Sequence, residues 1–339
     1  MAGLQQAEVF MRSIRIVATG IGLAALLTAG GTEAEEKALG TRLVDQMNAL
    51  YGAHPGTRAN HATGAVFEGT FTPAQGAEGL SSAVFLKGAP TPLTIRFSNA
   101  GGVPDAPDTH PSVGGIRGMA IKFRLADGGE NDIVCISANG FPVATGEDFL
   151  ALLQAVGASG PNAPKPTALD TFLATHPAAA AFVAEPRPVA ASYGTQPFFG
   201  VNALKFTNAH GLSKFARYRI VPESGPAYVS YEEAAKRPAT ALADNLRAAL
   251  VKGPVKFRLL VQLAAADDPT NDATKIWPDN RPTVELGEIA LTKALDTKKI
   301  ENGLLFMPTN LTKGIEVSDD PILNTRTEAY GESYGRRIK

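Results

Sequence analysis

Short runs in which apolar and polar residues alternate recur along this chain, and they are joined by turns only long enough to reverse its direction. Ala65, Phe67 and Gly69 alternate with Val66, Glu68 and Thr70, and Leu93 to Ser98 and Gly118 to Arg124 read as two further strands. A period of two sends successive side chains to opposite faces of a strand. Val201 to Thr207 and Lys214 to Val221 flank the turn-forming set Asn208-Ala209-His210-Gly211, which makes a hairpin. Val255 to Ala264 and Thr283 to Leu291 are strong strands as well. Connections this short join antiparallel neighbours, because a parallel pair needs a long crossover.

Helices are set between and around the strands. Leu39, Leu43, Val44, Met47, Leu50 and Tyr51 recur at helical spacing over Glu35 to Tyr51, and Gly52 stops that helix. It is expected to pack across the outside of the sheet, with a mobile arm as the alternative. Thr145-Gly146-Glu147-Asp148 caps a helix over Phe149 to Val156 that ends at Gly157. Another runs from Thr167 to Ala174, and Pro177 opens a short one. Ser230-Tyr231-Glu232-Glu233 forms a second capping box, and Leu242, Leu246 and Leu250 mark a helix ending at Gly253. A last helix, Ile322 to Tyr334, carries Arg326 and Tyr330 one turn apart. Strands outweigh helices, so the class is α+β: an antiparallel sheet closed into a β-barrel, with appended and inserted helices. No internal repeat and no domain-boundary linker interrupts residues 35–339, which are expected to form a single domain.

With 32 basic against 33 acidic residues, charge gives no argument for nucleic acid as a partner. The one cysteine, Cys135, allows no intramolecular disulfide and reads as a small buried strand residue. Met11-Arg12-Ser13-Ile14-Arg15 is basic, and Ile16 to Gly31 is uncharged, mostly apolar and short for a membrane span. Thr32-Glu33-Ala34 then places small residues at the minus three and minus one positions of a cleavage site. Residues 1–34 are therefore expected to be a signal peptide or an N-terminal membrane anchor, with a periplasmic or exported location; a disordered or interfacial tail is the other reading.

Arg58-Ala59-Asn60-His61-Ala62-Thr63-Gly64, continued by Arg96-Phe97-Ser98, resembles the distal side of the haem pocket in the catalase family, and most closely that of the small, single-domain catalase-related peroxidases. Asp132-Ile133-Val134, Gly200-Val201-Asn202, Lys275-Ile276-Trp277-Pro278, Phe306 to Leu311 and Asp319 to Leu323 follow in family order. The resemblance implies a catalase-type barrel that binds haem b. The binding would be non-covalent, since one cysteine cannot make a Cys-x-x-Cys-His attachment. Tyr330 would be the metal ligand, a hard anionic donor to ferric iron. Arg326, on the same helical face, would favour its phenolate form. His61 would move protons at the peroxide, with Ser98 fixing its tautomer. Arg58 and Arg96 would hold the haem propionates, Phe141 would be the aromatic residue of the distal side, and Val66 stands near the place where another apolar residue walls the pocket. Read without the resemblance, the same residues are blander: a core tyrosine, a satisfied histidine, strand-end arginines and core apolar groups.

One segment departs from the family. Where typical catalases carry a distal Asn, this chain has Cys135-Ile136-Ser137-Ala138-Asn139-Gly140-Phe141. Ser137 is the candidate for a weaker hydrogen bond there, and efficient dismutation of hydrogen peroxide is put in doubt. The expected activity is a haem peroxidase that reduces hydrogen peroxide or an organic hydroperoxide with a small organic reductant, as a monomer or homodimer. Three readings stay open beside it: a fatty-acid hydroperoxide lyase or isomerase, a non-catalytic haem-binding protein, and a haem-free ligand-binding barrel.

Overall fold

The computed structural model describes residues 37–109 and 115–339. The segment expected to be a signal or anchor lies outside the described residues. Among the described residues no helix is long and apolar enough to cross a membrane.

Ten strands form one antiparallel sheet: β1 (Gly64–Pro73), β2 (Thr91–Asn99), β3 (Arg117–Arg124), β4 (Glu130–Ile136), β5 (Phe198–Phe199), β6 (Leu204–Thr207), β7 (Ser213–Pro222), β8 (Val255–Leu263), β9 (Thr283–Ala294) and β10 (Ile315–Val317). Eight of them close into a barrel in the order β1-β2-β3-β4-β5-β7-β8-β9, with β9 pairing back onto β1. β6 and β10 extend the sheet from the edge of β7. The helices are α1 (Leu39–Tyr51), α2 (Gly146–Gly157), α3 (Ala168–Thr175), α4 (Pro177–Ala184), α5 (Tyr231–Ala235), α6 (Ala241–Lys252), α7 (Thr297–Ile300) and α8 (Pro321–Arg337). The antiparallel barrel and the α+β class are as the alternation predicts.

The inner face of the barrel is filled by the apolar half of each strand. Phe67, Phe97, Phe123, Phe198 and Phe257 are fully buried there. Phe97 meets Phe67 edge-on, with centroids 5.7 Å apart, and stacks on Tyr193 at 5.1 Å. Each such ring contributes roughly 1.5–3 kcal/mol by leaving water. β9 bulges where Leu259 pairs with Gly287 but Leu260 pairs with Glu285. Gly287 has φ 155° at that point, and a Cβ on it would collide with the Thr72 carbonyl.

Several local signals act as the sequence predicts. Thr145 and Thr167 cap α2 and α3 through the N–H groups of Asp148 and Asp170, each at 3.1 Å. Gly52 ends α1 at φ 86°, its N–H on the Asn48 carbonyl. Other boundaries move. At Ser230 only one arm of the expected capping box forms, from Glu233 N–H, because the Glu233 carboxylate binds Arg237 instead. β6 starts at Leu204 rather than Val201, because Asn202 turns away to Asp320 and Arg326. The last helix continues through Arg337, past the expected end at Tyr334.

The outer face of β1–β4 positions everything that follows. Gly64, Ser98, Gly118, Ile136 and Phe199 stand in one cross-strand row, and Val66, Arg96, Ala120 and Val134 in the next. A third row pairs Thr94, Lys122 and Asp132. Lys122 Nζ lies 2.8 Å from Asp132 Oδ1, and both side chains are buried. Asp132 Oδ2 accepts the Met307 N–H at 2.8 Å and an Asn310 amide N–H at 3.3 Å, which fastens the 307–310 segment to the barrel. α1 packs on α8 and α2 across this same outer face. At Gly40 a Cβ would stand 2.5 Å from Glu328 Cβ, so a glycine is needed for α1 and α8 to meet this closely.

Removing one partner of a buried ion pair leaves the other charge uncompensated. Asp132→Ala is therefore expected to cost roughly 3–5 kcal/mol, measured by urea unfolding. A loss below about 1 kcal/mol, the range of a surface pair, would show that the pair does not fasten the segment.

Candidate active site between the barrel wall and two helices

A deep cavity separates the outer face of β1–β4 from α1 and α8. Its floor is the sheet, with Arg96, Ser98, Gly118, Ala120, Val134 and Ile136. Its roof includes Leu43 and Met47 of α1 and Arg326, Ala329 and Tyr330 of α8. Phe141 and Phe149 close one side, with ring centroids 5.1 Å apart.

His61 stands just before β1, and its backbone has φ 56°, in the left-handed region. A non-glycine residue held there carries strain. The surroundings hold it in place. Asn60 Oδ1 accepts the His61 N–H at 3.0 Å and the Gly101 N–H at 2.6 Å, while Arg96 Nη2 donates to the His61 carbonyl at 2.8 Å. The imidazole Nδ1 is 2.9 Å from Ser98 Oγ. The ring lies against Gly118, where a Cβ would come within 3.0 Å of it. With Nδ1 engaged, Nε2 is the nitrogen available to a bound molecule. Burial, then Arg96, Arg58, Arg326 and Arg117, push the His61 pKa down to about 3. The imidazole is therefore neutral at physiological pH and can accept a proton.

On the roof, Asp320 caps α8 through the Ile322 N–H at 2.9 Å, and Pro321 takes the first helical position, where no donor is needed. Arg326 and Tyr330 are i and i+4 on this helix, and Arg326 Nη2 donates to Tyr330 Oη at 3.0 Å. Arg326 Nη1 donates to Asn202 Oδ1 at 2.7 Å, and Asn202 Nδ2 donates to Asp320 Oδ2 at 2.8 Å. The guanidinium is thus fixed from behind by a chain that ends on the helix cap.

At the rim, Arg58, Arg96 and Arg337 all line the cavity. Arg58 Nε is 2.7 Å and Arg96 Nε 3.0 Å from the Glu301 carboxylate. Arg58 Nη2 and Arg337 Nη2 both donate to the Leu304 carbonyl, at 2.7 and 2.8 Å. Arg337 Nε is buried without a hydrogen-bond partner. Burial and Arg96 lower the Arg58 pKa to about 9, which leaves it charged at neutral pH. Burial opposes ionisation of Glu301, but Arg96 and Arg58 outweigh it and hold this carboxyl below the usual range. Three cations around one anion leave the rim suited to a further anionic group.

The structure thus brings His61, Ser98, Arg58, Arg96, Phe141, Arg326 and Tyr330 to one cavity. It does not bring Ser137 there: its hydroxyl accepts the Arg117 N–H at 2.9 Å, and Ile136 lines the cavity beside it. Val66 shares the outer face with the floor residues but is covered by Leu304 and Phe306 rather than lining the cavity. Arg337, Glu301 and Asn202 escaped the sequence reading. Arg337 was within reach, since it lies two turns beyond Tyr330 on the same helix face.

A family profile described as catalase matches residues 39–339. A catalase-related peroxidase of Mycolicibacterium paratuberculosis is 38% identical over 86% of this chain and 92% of its own length. A catalase-related peroxidase of Synechococcus elongatus is 29% identical over 88% of each. Among solved structures, a fungal catalase superposes with a TM-score of 0.74 at 20% identity, over 95% of this chain and 67% of that one. The chain belongs to the catalase family.

His61 binds no proton when folded until the pH nears 3, whereas an unfolded histidine binds one near 6.5. Its contribution to stability is therefore fully present above pH 6.5 and lost as the pH falls through that value toward 3. In urea unfolding of the haem-free protein, His61→Gln is expected to remove this acid sensitivity. The variant should gain on the parent by on the order of 2 kcal/mol between pH 7 and pH 5. Parallel pH profiles would show that His61 is not held neutral.

Proposed function

We propose that this chain is a haem-dependent peroxidase that reduces hydrogen peroxide or an organic hydroperoxide at the expense of an organic electron donor. Its place in the catalase family and its 38% identity with a catalase-related peroxidase make it an oxidoreductase acting on peroxide. The observation that carries the finer reading is the pair of Tyr330–Arg326 and His61–Ser98 facing one cavity, from the roof and from the floor.

The residues present fit a haem. A phenol oxygen backed by a guanidinium is an anionic ligand set for ferric iron. The excess of cations at the rim, with Arg337 Nε buried and unpartnered, fits the two propionates of the group. The apolar floor of Ala120, Val134 and Ile136 fits a flat macrocycle. Bound there, haem would supply the redox-active iron at which the peroxide is reduced.

The chain's own residues supply binding and proton transfer. Tyr330 would hold the iron, and Arg326, braced by Asn202, would donate a hydrogen bond to its phenol oxygen. Arg58, Arg96 and Arg337 would fix the propionates. His61 Nε2 would take the proton from one peroxide oxygen and deliver it to the other as that oxygen leaves. Ser98 would hold the ring in the tautomer that allows this. The excess positive charge of the surrounding arginines keeps the imidazole from retaining the proton.

Two further expectations follow. Absorption spectra of the haem-loaded protein should change in Tyr330→Phe, and peroxide-dependent oxidation of a phenol should fall about 10²–10⁴-fold in His61→Ala; haem uptake that ignores Tyr330 would overturn the assignment. The basic and apolar segments over residues 11–31 support export to the periplasmic side. N-terminal sequencing of protein recovered from that compartment should begin near Glu35 if the signal is cleaved, and recovery in the cytoplasm alone would refute export.

A further inference from the structure

We propose that Tyr334 is a second site of donor oxidation, at which the protein takes electrons from phenols too large to enter the cavity; the proposal rests on the peroxidase reading above. Tyr330 and Tyr334 are i and i+4 on α8. Their side chains are therefore neighbours, with Cβ atoms about 5–6 Å apart. Tyr330 lines the cavity, whereas Tyr334 stands half-buried just outside it. A second contact ties Tyr334 to the same rim. The Arg337 guanidinium lies 5.0 Å from the Tyr334 ring centroid, while Arg337 Nη2 donates to the Leu304 carbonyl at 2.8 Å. This cation–π contact holds the ring in one orientation beside the cavity.

No other phenol or indole of the chain combines that place with access to water. Tyr193, Tyr218 and Trp277 are buried. Tyr228 and Tyr231 are exposed, but neither they nor the residues beside them line the cavity. Tyr51 packs against Leu43, Met47 and Leu150, and burial pushes its phenol up to about 12. A phenol that loses an electron must also lose its proton, and the Arg337 charge disfavours a positive ring. At Tyr334 the electron passes to Tyr330 across one helical turn, and the proton goes to water. The Tyr334 phenoxyl radical then takes one electron and one proton from a donor phenol at the surface, which leaves as its own phenoxyl radical. Two such cycles supply the two electrons and two protons that one peroxide consumes. Its O–O bond breaks, one oxygen leaves as water, and the other leaves as the alcohol or as a second water. A donor small enough to enter the cavity bypasses Tyr334.

Donor size supplies the test. Haem-loaded parent, Tyr334→Phe and Tyr334→Trp would be assayed with hydrogen peroxide and two donors, phenol and tyramine coupled to dextran. The parent should oxidise both. Tyr334→Phe should lose about tenfold or more in kcat/KM for the dextran donor, while phenol stays within about twofold. Tyr334→Trp restores an oxidisable ring and should keep the dextran donor within about threefold of the parent. Two readouts do not depend on donor turnover. In the haem-free protein, tetranitromethane should nitrate Tyr334, located by mass spectrometry of the peptide covering 327–336. With haem and peroxide but no donor, a nitroso spin trap should add to the same ring. Tyr334 unmodified in either experiment, a parent that oxidises phenol but not the dextran donor, or a Tyr334→Phe variant that changes both donors equally or neither would overturn the proposal and leave the peroxidase intact. A parent inert toward both donors would overturn the peroxidase reading and the proposal together.

Discussion

The register of β1 to β4 is the constraint on which the cavity depends. Side chains alternate along a strand, so a slip of one residue would turn each strand over. Arg96 and Ser98 would then point into the barrel, and Ile95 and Phe97 would face the cavity. The phenylalanines inside prevent that slip. Phe97 is locked between Phe67, Tyr193 and Phe198, and moving such rings into water would cost several kcal/mol in all. The barrel core is thus what holds Ser98 at His61 and Arg96 at the rim.

Charge is arranged with the same economy. Arg58, Arg96, Arg326 and Arg117 all lower the proton affinity of His61. They do so at a distance, because each guanidinium is occupied elsewhere: on Glu301, on backbone carbonyls, or on Tyr330 and Asn202. The result is a neutral base set among cations in a poorly solvated space, where a proton can be received briefly but not kept. Glu301 serves this arrangement by holding two arginines by their Nε edges.

Much of this was legible in the residues themselves. Alternation predicted the strands, and the spacing of 96 and 98 puts both side chains on one face. The i, i+4 spacing of Arg326 and Tyr330 predicted their contact. What stayed hidden depended on length or on distant folding. Ending the last helix at Tyr334 left Arg337 outside it. Glu301 sits in a tight turn without periodicity and reaches Arg58 across more than half the chain. Treating 201–203 as strand concealed Asn202's turn toward α8. The parity of β4 separates Ile136 from Ser137: Val134 and Ile136 share a face, while the Ser137 hydroxyl is spent on the Arg117 backbone.

Because the cavity lies outside the barrel rather than within it, the two faces of one strand answer to different demands. In β2, positions 93, 95 and 97 belong to the packed interior, and positions 94, 96 and 98 to the floor and its supports. Variation among related chains could therefore be partitioned residue by residue. Odd positions would drift only among apolar groups of similar volume, governed by folding. Even positions would be free to change polarity wherever a different reaction is favoured. A barrel of this kind can be handed from one chemistry to another through alternate letters of a nine-residue strand, with its interior left untouched.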